Sequence, residues 1–149
     1  IGLMFACSGV ISVLMQAVGI RIILQKIPSK KIILNVCLIG CLIISFLFYF
    51  ATSMIPFFIL VLAIMIFVSP INVVITSLIS DNTKAEDQGG ILGINQSYIS
   101  LGQIVGPLIA GSAANINVTY IFLVISSIFA ATLFGAQFVK FATAKKLDL

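Results

Sequence analysis

Residues Pro56–Ile79 read PFFILVLAIMIFVSPINVVITSLI, twenty-four positions without a single charge. Wound as an α-helix at about 1.5 Å per residue, such a run is longer than the ~30 Å hydrocarbon core of a bilayer. It does not stand alone. Of the 149 residues, 61% are hydrophobic and only 8% charged. A soluble domain is nearly half apolar and about a quarter charged, and a small fold has too much surface to hide such an excess. The solvent for this chain is lipid. Four more segments are long and apolar enough to cross it, at about 1–24, 32–51, 90–113 and 118–139, flanking the central one at about 56–79. The expected fold is an all-α integral membrane protein with five transmembrane helices.

The charges give the five spans a direction. Arg21, Lys26, Lys30 and Lys31 surround the first connection, Lys84 lies in the third, and Lys140, Lys145 and Lys146 mark the tail. The second connection, around Thr52–Ile55, and the fourth, around Asn115–Asn117, carry none. Basic residues collect on the cytoplasmic side of a membrane. The first span is therefore expected to run from outside to inside, and the C-terminus to be cytoplasmic. Topology accounts for the net charge of +4, and no basic stripe interleaved with aromatics points to nucleic acid. In the third connection Thr83 and Glu86 have capping-box spacing, so the fourth helix is expected to start near Lys84.

Ile1 already lies in an apolar run, without a basic segment before it or a cleavage site of small residues after it. A signal peptide is not expected here, and the chain is expected to continue a longer protein. Cys7, Cys37 and Cys41 all sit in apolar segments and the sequence has no His. They read as small buried hydrophobes rather than metal ligands, and neither a metal nor a cofactor is expected. No acid–base pair lies within a span, which speaks against an enzyme.

Polar residues inside the spans are periodic. Ser8, Ser12 and Gln16 recur in the first, Ser69, Asn72, Thr76 and Ser80 in the third, and Gln96, Ser100 and Gln103 in the fourth. At 3.6 residues per turn each set forms one stripe. Spans one, three and four are thus expected to face protein or a water-filled cavity, and spans two and five to face lipid. A primary amide has several bonds to satisfy, which favours a cavity for the amides more than for Ser and Thr, whose hydroxyls can bond back to their own helix. Gln16, Asn72, Gln96, Ser100 and Gln103 are the candidate substrate-facing residues. Phe58, Met65 and Phe67 offer aromatic and soft surface, though packing is the commoner role for such residues. On another side of the fourth span Gly102, Gly106 and Ala110 recur every four residues, followed by Gly111, a ridge on which a second helix backbone can lie close. Pro107 removes one donor from that helix.

The segment from Gln88 through Gly93-Ile94-Asn95-Gln96 to Gly102-Gln103-Ile104-Val105-Gly106-Pro107-Leu108-Ile109-Ala110-Gly111 resembles the eleventh helix of major facilitator superfamily transporters, in particular drug:proton antiporters of the tetracycline and multidrug efflux type. Gly102-x-x-x-Gly106-Pro107-x-x-Ala110-Gly111 echoes a glycine–proline motif that those antiporters carry in their fifth helix, with Ala110 replacing one Gly. Lys26-Ile27-Pro28-Ser29-Lys30-Lys31 resembles a degraded copy of the family's basic loop, with Gln25 where an acid would stand and Pro28 where a Gly would stand. A basic loop fixed by topology alone is an equal reading. The resemblance implies that the five spans are helices eight to twelve of a twelve-helix transporter, without the N-terminal half and about one further helix. It implies efflux of small amphipathic compounds or drugs, driven by protons through alternating access, with the N-terminal half of the same transporter as structural partner and the cell membrane as location. A small oligomeric exporter and a non-transporting membrane scaffold are the alternatives.

Overall fold

The computed structural model describes residues 2–27 and 29–138. Among them the chain is helical throughout, in the order α1 (Gly2–Leu14), a π turn (Met15–Gly19), α2 (Ile20–Lys26), α3 (Lys30–Leu47) ending in a 3-10 turn (Phe48–Phe50), α4 (Met54–Asp81), α5 (Gln88–Ile116) and α6 (Tyr120–Phe138). Five helical stretches lie where the five spans were expected. The first is continuous through the π turn, while the basic tail residues Lys140, Lys145 and Lys146, together with Ile1 and Pro28, lie outside the described residues.

Four of the five helical stretches, Gly2–Gln25, Lys30–Phe50, Met54–Asp81 and Tyr120–Phe138, have the length and apolar composition to cross a bilayer. Helix α5 is longer still, and its amides, serines and glycines make it the least apolar of the long helices.

The start of α5 departs from expectation. Helix α5 begins at Gln88 rather than near Lys84, and no side chain caps it. Thr83 and Glu86 form no capping box. The backbone instead closes a turn from the Asp87 N–H to the Lys84 carbonyl, 3.0 Å, which takes up the geometry the box would need. Glu86 and Asp87 still precede the positive end of the helix dipole, where acids are favoured. The Gln88 amide reaches back to the Ser80 carbonyl at 3.2 Å and ties α5 to the end of α4.

Packing centres on α3, which lies against both α4 and α6. It buries Ile33, Leu34, Cys37, Leu38, Cys41, Ile44 and Ser45, more than any other helix. This corrects the expectation that span two mainly faces lipid. Hydropathy could not separate the two cases, since a lipid tail and a neighbouring helix are equally apolar. The other side of α3 does expose Ile32, Val36, Ile39 and Ile43, an apolar stripe fit for hydrocarbon.

In lipid no water is released when helices meet, so close fit and polar contacts hold them together. The α3/α4/α6 unit has both along its length. At one end the Lys30 ammonium donates to Ser77 Oγ at 2.6 Å and ion-pairs with Asp81. Each charge sits at the helix end its dipole disfavours, a cation at the N-terminus of α3 and an acid at the C-terminus of α4, so the pair offsets two local penalties. Gln137 Nε2 donates to Asn35 Oδ1 at 3.3 Å across α6 and α3. Midway, the Phe67 ring lies directly over Gly40, where an added Cβ would come within 2.6 Å of Cε1. At the far end Phe48 stacks on Phe122, centroids 5.0 Å apart, and meets Phe57 edge-on at 5.1 Å. Helix α1 leans on α4 through a Ser69 hydroxyl donating to Ser12 Oγ at 2.9 Å, and Ser12 Oγ approaches Met65 Sδ at 3.8 Å.

Candidate functional site

Helix α5 is built unlike its neighbours. It packs mainly beside α4 and α6 and buries none of its described residues. Gln96, Ser100 and Gln103 are all exposed along it. The Ser100 hydroxyl donates to the Gln96 carbonyl at 3.0 Å, and Ser97 bonds back likewise to Gly93. These serines satisfy themselves, which leaves the Gln96 and Gln103 amides as the groups with bonding capacity to offer. Within one stripe of about two turns they present donors and acceptors to whatever lies beside the helix.

The glycine ridge is bare as well. A Cβ on Gly102, Gly106 or Gly111 would meet nothing within 4 Å. The helix runs through Pro107 without a break. Where a small ridge is expected to receive a second backbone, no helix among the described residues lies on it.

The other two candidates lie elsewhere. Gln16 is exposed on the π turn and Asn72 is exposed on α4, its carbonyl accepting from Thr76 Oγ1 at 2.9 Å. The regular stripe expected for the first span is interrupted: Ser12 is turned to α4 and bonded, while Gln16 is left exposed. The third-span stripe divides too, with Ser69 buried in the α1–α4 contact and Asn72 and Thr76 outside it. None of the five candidate residues lines the apolar cavity between the π turn, α2, α3 and α4. Phe67, offered by the sequence as drug-facing surface, also lines that cavity, but its ring is engaged with Gly40.

In the basic loop, Lys30 has the acid partner that the loop's own sequence lacks, supplied by Asp81 from the end of α4. Lys31 is half-buried, and the side chain of Lys26 lies outside the described residues. The Lys30–Asp81 pair was legible in principle. Lys30 starts one helix, Asp81 ends the next, and consecutive membrane helices run antiparallel, so the two ends meet.

A model of the Major Facilitator Superfamily matches residues 1–146. The chain belongs to that superfamily. Its members are membrane transporters rather than enzymes, and the helical, apolar architecture makes this chain a multi-pass membrane protein. Among curated proteins, Multidrug resistance protein 2 of Bacillus subtilis (strain 168) is 27% identical over 116 residues, which covers 78% of this chain and 28% of that relative. The chain thus matches little more than a quarter of the relative's length. No solved structure matches.

Proposed function

We propose that this chain forms helices eight to twelve of a proton-coupled exporter of small amphipathic compounds, and that α5 faces the substrate path. The observation that carries the reading is the stripe Gln96, Ser100 and Gln103, exposed on a helix whose residues have no core to build. A polar stripe on a membrane helix is costly against lipid, where each unmet amide loses its bonds. Beside a water-filled path the same stripe is solvated and selective. The superfamily match and the similarity to a protein named for multidrug resistance support export of drug-like molecules.

Gln16 and Asn72 are assigned to the same path. The bare ridge Gly102, Gly106 and Gly111 is assigned to close packing against the N-terminal half of the transporter. No charged residue lies deep in a described helix, so the proton is carried by acids elsewhere in the protein. The connections after the first and third spans and the C-terminus lie in the cytoplasm, as the basic residues require, and the protein resides in the cell membrane.

The test uses the whole transporter in vesicles with an imposed proton gradient. Export of an amphipathic dye should stop when the gradient is collapsed. Gln103→Ala should reach the membrane at normal levels yet lose several-fold affinity for compounds that bond the amide, since one such bond is worth about 1 kcal/mol, and little for others. Export that ignores the gradient defeats the coupling. A uniform loss of protein from the membrane instead makes Gln103 a packing residue.

A further inference from the structure

The two halves of the first span are held very differently. Helix α2 is anchored. Its Ile20 is buried in one apolar core with Ile33, Leu34, Cys37, Leu38 and Val74, and Ile23, Leu24 and Ile27 pack against that core. Helix α1 buries none of its residues, and α4 is its main neighbour outside its own span. Its polar tie to α4 runs through Ser12, which accepts from Ser69 at 2.9 Å and donates toward Met65 Sδ at 3.8 Å. Such bonds between membrane helices are weak, so this one can open.

Between the anchored half and the lightly held half stands the π turn Met15–Gly19, where the Ile20 N–H reaches back to the Met15 carbonyl. Helices bend readily at such turns. The Met15 side chain lies over Gly19, where a Cβ would stand 2.8 Å from Sδ and 3.0 Å from Cε. Met15 also lines an apolar void of about 100 Å³, together with Ile33, Ile66, Phe67 and Pro70. A close-packed interior resists movement, and here the packing is missing at the bend. Methionine is unbranched and adaptable, so its thioether can leave Gly19 for the void. Across the void α4 carries Pro70, next to Ser69, and a proline removes one bond from its helix.

We propose that the first span is a hinged helix. Helix α1 swings on the Met15–Gly19 turn while α2 stays fixed. The Ser69–Ser12 bond is the latch that holds α1 on α4, and the void is the room that Met15 enters when the latch opens. Gln16 stands on the turn itself, so the swing re-aims it. That consequence alone rests on its assignment to the substrate path; the hinge does not depend on what is carried.

The experiment uses the intact protein in nanodiscs, with pairs of spin labels carried on unnatural side chains so that the buried cysteines stay in place. Phe5 on α1, Ile22 on α2 and Ile43 on α3 are all exposed and take the labels. Double electron–electron resonance should give two distances for the Phe5–Ile43 pair and one for the Ile22–Ile43 pair. Ser69→Ala should raise the ratio of the second Phe5–Ile43 population to the first by about threefold, the worth of one such bond in a membrane. Gly19→Ala should raise it too, because the new Cβ drives the thioether toward the void. Ile66→Phe should fill the void and lower it. One distance for both pairs in the native protein overturns the proposal, whether or not any variant folds. Two distances for both pairs mean that the whole span moves as one body, which overturns the hinge. Two Phe5–Ile43 populations that none of the three substitutions shifts put the bend elsewhere and overturn it equally.

Discussion

Helices α3 and α5 were drawn from the same amino-acid vocabulary and serve opposite ends. Helix α3 is fastened to α4 and α6 by an ion pair, an amide pair, a ring over a glycine and a cluster of three aromatics. Helix α5 has the glycines that would permit closer packing than any of these, yet none is covered by a helix of this chain. Small residues therefore act differently in the two. Gly40 is explained by a neighbour that is present. The ridge of α5 has no such neighbour among the described helices, and the one proposed for it is the other half of the transporter.

Substitutions at the glycines separate these cases most sharply. Gly40→Leu should have the largest effect. The added side chain must displace the Phe67 ring, and overpacking typically costs about 1–3 kcal/mol or more. A fall in the melting temperature of the intact protein, partly restored by Phe67→Ala, is expected. A stable Gly40→Leu variant would show that the ring moves aside freely. Gly106→Leu is expected to cost less in local stability, because nothing in this chain meets the added group, and to act on transport by wedging apart the two halves. Normal melting with export lost for every substrate supports that. Unchanged export would mean that the ridge faces lipid.

Asp81→Asn should have the smallest effect. The Lys30 and Asp81 side chains are 24% and 40% exposed, and pairs this open to solvent are worth about 0–1 kcal/mol. A loss of that size that shrinks with added salt is expected, and a double-mutant cycle with Lys30→Gln isolates it. A coupling of several kcal/mol would mark the pair as buried in the working protein and move this end of α3 and α4 into the same class as the Gly40 contact.

Much of the architecture was readable because a membrane imposes a ruler. Uninterrupted apolar length placed five helices within a few residues of their ends, and the polar stripe of α5 stood out against an apolar background. Which side of each helix meets protein was far less readable. Cys37 and Cys41 were legible as buried, but Ile33 and Val36, one turn apart on α3, are equally apolar and only one is covered. The Thr83–Glu86 spacing misled because a backbone turn one residue further on, Lys84–Asp87, takes up three of the same four residues. Nothing in the sequence joins Asn35 to Gln137, since a contact 102 positions apart leaves no local trace.

The π turn is, in arithmetic terms, an α-helix with one residue too many. Each extra residue rotates the upstream part of a helix by about 100° relative to the downstream part. That rotation is why Ser12 meets Ser69 while Gln16, four positions on, does not join it in the α4 contact. Shortening Met15–Gly19 by one residue would restore an ordinary helix and swing the whole of α1 around its axis, so that Ser12 left Ser69 and a different row of side chains met α4. The first span thus has two alignments separated by a single codon, and the longer one has its serine on its neighbour.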